Sequence, residues 1–167
     1  ATASSSASIE FTLGDYKEYK FFFVNIHPAT DNTDFMFNTS IDNGSNYNVT
    51  KTTTTFQAYH NEAGNDQALN YDTSDDLAQS TNFQQLLKNL GTDNDQNSSG
   101  YMQLFKPSST TFVKHFIANG NSYNYNNYSN NNFTAGYANT TSALTNIKFQ
   151  MSSGNIDDGK ILMFGLN

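Results

Sequence analysis

The closing stretch of the chain, Ala143 to Leu166 (ALTNIKFQMSSGNIDDGKILMFGL), decides the fold. Ala143, Thr145, Ile147, Phe149 and Met151 fall at every second position, with Asn146, Lys148 and Gln150 between them. That alternation suits a half-buried strand and no helix. Ser152 to Asn155 and Asp157 to Gly159 supply turn signals. Lys160 to Leu166 then leaves no polar face, because Ile161, Leu162, Met163, Phe164 and Leu166 are all apolar. The stretch predicts a two-stranded hairpin whose second arm is covered on both sides, by this chain or by another copy of it.

A second segment has the same two-sided character. Tyr19 to Ile26 (YKFFFVNI) is apolar on both faces at its centre and stops at Pro28. The two segments are therefore expected to be neighbours, in a doubly covered part of a sheet or at a subunit contact. Ile161, Met163, Phe22 and Val24 are the residues expected at that contact.

Strand signals recur elsewhere, separated by turns. They include Ile9, Phe11 and Leu13, then Phe35 to Ile41, the Thr-rich run Tyr47 to Tyr59, Tyr101 to Lys106, Phe112 to Ala118 and Phe133 to Tyr137. Asn61 to Asp76 reads as polar loop. One segment has a helical period: Phe83, Leu86, Leu87 and Leu90 fall at i, i+3, i+4 and i+7, between Ser80 or Thr81 and Gly91. The expectation is an all-β, jelly-roll-like antiparallel sandwich of eight or nine strands with one short helical insertion. Residues 1–8 read as a flexible lead-in and 9–167 as a single domain.

Composition narrows the function. Of 167 residues, 36% are hydrophobic and 14% charged, with 14 Phe and 10 Tyr, which is too polar for a helical bundle and too aromatic for a disordered chain. A net charge of -7 with no run of Lys or Arg argues against nucleic acid. Cysteine is absent, so neither a disulfide nor a zinc–thiolate site can form. No segment approaches the ~20 apolar residues that span a bilayer, so no membrane insertion is expected.

Few residues suggest chemistry. His27, His60 and His115 are far apart and lack metal-ligand spacing. Asp93, Asn94, Asp95 and Asn97 start like a calcium loop, but Ser98 and Leu104 stand where an EF-hand needs Gly and Glu. A looser calcium site at Asp93 and Asp95 stays open; no metal or cofactor is assigned. The pairs Asp75–Asp76 and Asp157–Asp158 read as turns rather than catalytic carboxylates. The expectation is a non-enzyme.

The remaining candidate is Asn119 to Asn132 (NGNSYNYNNYSNNN), expected as a long exposed loop. Tyr123, Tyr125 and Tyr128 offer flat faces for sugars, and Asn126 offers an amide donor and acceptor. A solvated loop or an inter-subunit contact accounts for the same composition.

FFFVNIHPATDNTDF, GYMQLFKPSSTTFVKHF, FTAGYANTTSA and FQMSSGNIDDGKILMFGL together resemble β-rich virion proteins of tailed phages that infect marine and other aquatic bacteria. The resemblance runs from about Glu18 to Leu166 and includes an SSGNID-x-G-x-I signature. It implies a structural part of a virion surface, with other virion proteins and copies of itself as partners. It transfers no functional residue. Three roles follow as expectations: a tail-fibre or receptor-binding protein contacting host surface glycan, a capsid decoration (cement) protein, or a carbohydrate-binding module or polysaccharide-degrading enzyme.

Overall fold

The computed structural model describes residues 1–167, and every regular element in it is a strand. Eleven strands form two antiparallel sheets. They are β1 (Ile9–Thr12), β2 (Glu18–Pro28), β3 (Thr33–Ser40), β4 (Lys51–Asn61), β5 (Gln67–Tyr71) and β6 (Gln84–Leu90). The rest are β7 (Ser98–Phe105), β8 (Lys114–Tyr123), β9 (Tyr128–Ala138), β10 (Asn146–Met151) and β11 (Ile156–Leu166). The small sheet runs β1-β10-β3-β6 and the large one β11-β2-β7-β8-β9-β4-β5.

The two-sided apolar segments are neighbours, as expected: β11 pairs with β2, setting Ile161 opposite Phe23 and Leu162 opposite Phe22. The terminal hairpin does not form. β10 lies in the small sheet between β1 and β3, whereas β11 closes one side of the large sheet. The Ser152–Asn155 turn thus carries the chain from one sheet to the other. Alternation marks a strand but not the sheet it joins.

The expected helix is a strand. β6 is registered against β3 with Phe35 opposite Leu87, Met36 opposite Gln85 and Thr33 opposite Leu90. Leu86 is therefore one extra residue and Lys88–Asn89 hold another, and Asn89 takes a left-handed φ of 55°. Each bulge resets the two-residue alternation. Leu86, Leu87 and Leu90 all face the core as a result, at spacings that mimic a helix. Asn61 to Asp76, read as loop, includes the edge strand β5.

Within residues 1–8, expected as a flexible lead-in, Ala3, Ser5 and Ser6 are hydrogen-bonded along the outer edge of β11. Ala3 N–H donates to Gly159 C=O at 2.9 Å, Ser6 N–H to Ile156 C=O at 2.8 Å, and Ala3 is buried. This covers an edge that would otherwise be open to pairing.

The core is aromatic and comes from both sheets. Phe149 of β10 stacks on Phe35 with centroids 5.8 Å apart, and meets Phe21 and Phe23 of β2 at 5.3 Å. Phe37 meets Phe116 of β8 edge-on at 4.9 Å. At β6 the sheets approach closely over paired glycines. Gly100 and Gly120 are register partners, and a Cβ on Gly120 would lie 2.4 Å from Leu87 Cδ2.

The outer face of the large sheet is unusual. One row of register partners crosses all seven strands: Leu162, Phe22, Tyr101, Asn119, Phe133, Phe56 and Tyr71. Six of the seven are large and at least a third exposed. Phe22 and Val24 lie on this face, as a subunit contact requires. Ile161 does not, being fully buried, and Met163 packs against the core. The outward residues of β11 are Leu162 and Phe164 instead.

Candidate functional site

The small sheet is narrower than the large one, and its β6 edge ends over β8 and β9. Beyond that edge the inner side of β4 and β9 opens into a polar cleft of about 220 Å³. Gln57 and Tyr59 reach it from β4, Tyr128 and Asn130 from β9, Asn126 from the β8–β9 turn and Asn89 from β6.

Asn119 to Asn132 does not form a long loop. β8 and β9 run through it and leave only a tight turn. Buried Asn124 builds that turn: its Oδ1 accepts from Asn126 N–H at 2.9 Å and Tyr128 N–H at 3.1 Å. Asn127 takes the left-handed φ of 64° that Asn tolerates well. Tyr125 N–H donates to Asn89 C=O at 3.0 Å, which fastens the turn to β6. Low-complexity Asn is thus used here as turn chemistry and as inner-face residue.

Within the cleft, Tyr128 Oη donates to Asp66 Oδ2 at 2.8 Å, and the edge of one tyrosine ring meets the other at Tyr59, 5.7 Å between centroids. The Asp66 carboxylate holds the Tyr128 hydroxyl above its ordinary pKa, so Tyr128 stays a neutral donor. Asn130 is 3% exposed; its Nδ2 donates to Gln57 Oε1 at 3.0 Å, while its Oδ1 has no partner. A buried acceptor without a donor costs about 1–3 kcal/mol.

Of the four residues expected to bind ligand, the fold brings Asn126 and Tyr128 into the cleft. Tyr123 points to the other face of the hairpin, beside His60 and Glu62, and Tyr125 is not part of the cleft lining. Gln57, Tyr59, Asp66 and Asn130 were not singled out in the sequence. The register of β4 against β9 assembles Gln57, Tyr59 and Asn130, and the turn between β4 and β5 brings in Asp66.

Beside the cleft lies an ion triad. Lys88 Nζ contacts Asp72 Oδ2 at 2.5 Å and Asp75 Oδ2 at 2.8 Å, both carboxylates being nearly buried. Gln57 Nε2 also donates to Asp72, at 3.0 Å. Burial raises the Asp75 pKa above its ordinary value, although Lys88 opposes the rise. The cation is shared between both carboxylates, which ties β6 to the chain after β5. No three Asp, Glu or His side chains converge as metal ligands anywhere in the chain, Asp93 and Asp95 included.

No protein-family model matches the chain, and no curated protein sequence does. Two solved structures are distantly alike. Sheep galectin-11 in complex with glycerol aligns over 97% of this chain and 99% of its own, at 6% identity and a TM-score of 0.37. Scytalido-glutamic peptidase with a transition-state analogue inhibitor aligns over 90% of this chain and 66% of its own, at 11% identity and a TM-score of 0.30. Likenesses this remote say nothing about ligand or reaction.

Proposed function

We propose that this chain is a non-enzymatic recognition module of a virion surface, of the tail-fibre or receptor-binding type, that holds a neutral glycan in the cleft between β4 and β9. The observation that carries the reading is the lining of the cleft, where the amide residues Gln57, Asn89, Asn124, Asn126 and Asn130 stand beside Tyr59, Tyr128 and a single carboxylate, Asp66. Sugar hydroxyls are donors, and aromatic rings beside amides suit their alternating apolar and polar faces. The virion setting rests on the four sequence stretches that resemble phage structural proteins. The non-enzymatic role rests on the sequence reading, and beside the cleft Lys88 ties up the carboxylates of Asp72 and Asp75.

Calorimetric titration with a panel of soluble bacterial surface polysaccharides tests this. Binding without shortening of the polysaccharide is expected. Tyr128→Ala should weaken it by about 1 kcal/mol or more, while Tyr123→Ala on the opposite face leaves it unchanged. Chain shortening would overturn the non-enzymatic role. Binding indifferent to Tyr128→Ala and to Asn130→Asp would remove the cleft from the proposal.

A further inference from the structure

The outer face of the large sheet has two features that fit each other. The first is a ridge: Phe56 and Phe133 stand side by side on β4 and β9, ring centroids 4.7 Å apart and planes 7° from parallel. The second lies one to two rows further along the same strands. There the outward residues are small (Thr52, Thr54 and Ala135), and with Ile117, His115 and Tyr137 they line an open depression of about 500 Å³.

Five of the seven strands present no charge on this face; Glu18, Lys20 and Lys160 stand on it at β2 and β11. The outward positions of β7, β8, β9, β4 and β5 include no Asp, Glu, Lys or Arg, although the chain has a net charge of -7. Two copies of so acidic a chain repel wherever their charged surfaces meet. The part of the face made by β7, β8, β9, β4 and β5 is where they meet without that repulsion.

Its size is adequate. Seven strands at ~4.8 Å give about 34 Å with side chains, and three outward residues per strand give about 20 Å. That projects to roughly 700 Å², close to the ~800 Å² per partner of a stable interface once relief is included.

Stacked together, Phe56 and Phe133 form one apolar ridge, which suits a depression lined by Thr52, Thr54, Ala135 and Ile117.

We infer that this face docks onto the same face of a second copy of the chain. The two-fold axis crosses the strands between the two rows, so that the Phe56–Phe133 ridge of each copy seats in the depression of the other. Such a contact is self-complementary and closed, which limits assembly through it to a dimer.

Sedimentation velocity on the whole chain, at tens of micromolar, is the test. The expected result is a species of twice the 18.6 kDa monomer mass. Phe133→Glu and Ile117→Lys, both at exposed positions, should each weaken the dimer at least ~30-fold, as for a central interface residue, with the β-sheet circular dichroism unchanged. If one variant unfolds, the other decides. Mixing the two monomeric variants should restore a dimer, since one ridge-to-depression contact then becomes Glu-to-Lys and the other is native. A monomeric wild type, or a dimer that survives both folded variants, overturns the inference. A failure of the mixture to associate overturns the ridge-in-depression geometry. None of these outcomes depends on the polysaccharide cleft.

Discussion

Lys51 Nζ donates to Asn38 Oδ1 at 2.5 Å, and both side chains are buried. A second bond runs to Val49 C=O at 2.8 Å, and no carboxylate joins either. Asn38 is a fully used hub: its Nδ2 donates to Tyr47 C=O and Thr81 C=O, and its Oδ1 also accepts from Thr39 N–H. The amine thus links β4 to β3 across the sandwich with neutral acceptors only.

Burial disfavours the ammonium and lowers the Lys51 pKa to about 7. The unfolded chain then binds more protons than the folded one between pH ~7 and the ordinary lysine value of ~10.4. Stability from this residue should rise with pH across that window, by up to about 1.4 kcal/mol per unit. Below pH ~7 both states are protonated and the dependence vanishes. Lys114, buried and bonded to Thr140 C=O and Ser142 C=O, is shifted downward too and adds the same sign. Guanidinium unfolding midpoints from pH 6 to pH 10 measure the slope, and Lys51→Met should flatten it without abolishing it.

Removing the cation at the triad has the opposite pH signature. Lys88→Met leaves Asp72 and Asp75 close together and nearly buried, at a cost of about 3–5 kcal/mol at neutral pH. One carboxyl then recovers its proton more readily in the folded state than in the unfolded state. The variant should therefore regain stability as pH falls, and equal losses at pH 7 and pH 4.5 would contradict the reading.

Gly120→Ala tests the contact between sheets. Its Cβ would fall 2.4 Å from Leu87 Cδ2, and overpacking of this kind costs about 1–3 kcal/mol. Leu87→Ala alone opens a cavity and costs about 2–5 kcal/mol. The double variant should lose less than the sum, because each change relieves the other. Strict additivity in urea unfolding would show that the two residues do not meet.

Most strands were legible because their apolar residues alternate, and β2 beside β11 was legible because both are apolar on two sides. Three features were hidden for physical reasons. β6 carries two bulges, and a bulged strand copies the helical period. β10 and β11 adjoin in sequence but belong to different sheets, a choice made by tertiary packing. Asn119 to Asn132 looked like loop because Asn is rare in strands, yet Asn130 and Asn132 fill inner positions at the end of the sandwich where the core turns polar. At the candidate site, Asn126 and Tyr128 could be read from composition. Gln57 and Tyr59 could not, since nothing local tells which residues of β4 will lie across from β9, and neither could Asp66, whose turn read only as polar loop.

The sheet switch between β10 and β11 governs the order in which the protein can be made. β1 and β2, the first strands of this domain to be made, pair with β10 and β11, the last of its strands. Throughout synthesis β2 and β3 each wait with one backbone edge unpaired, and β2 with its phenylalanines uncovered. Such pairing between chain ends is slow to form. This domain is thus at its most vulnerable to misassembly until β10 and β11 emerge, since these two strands complete the two sheets.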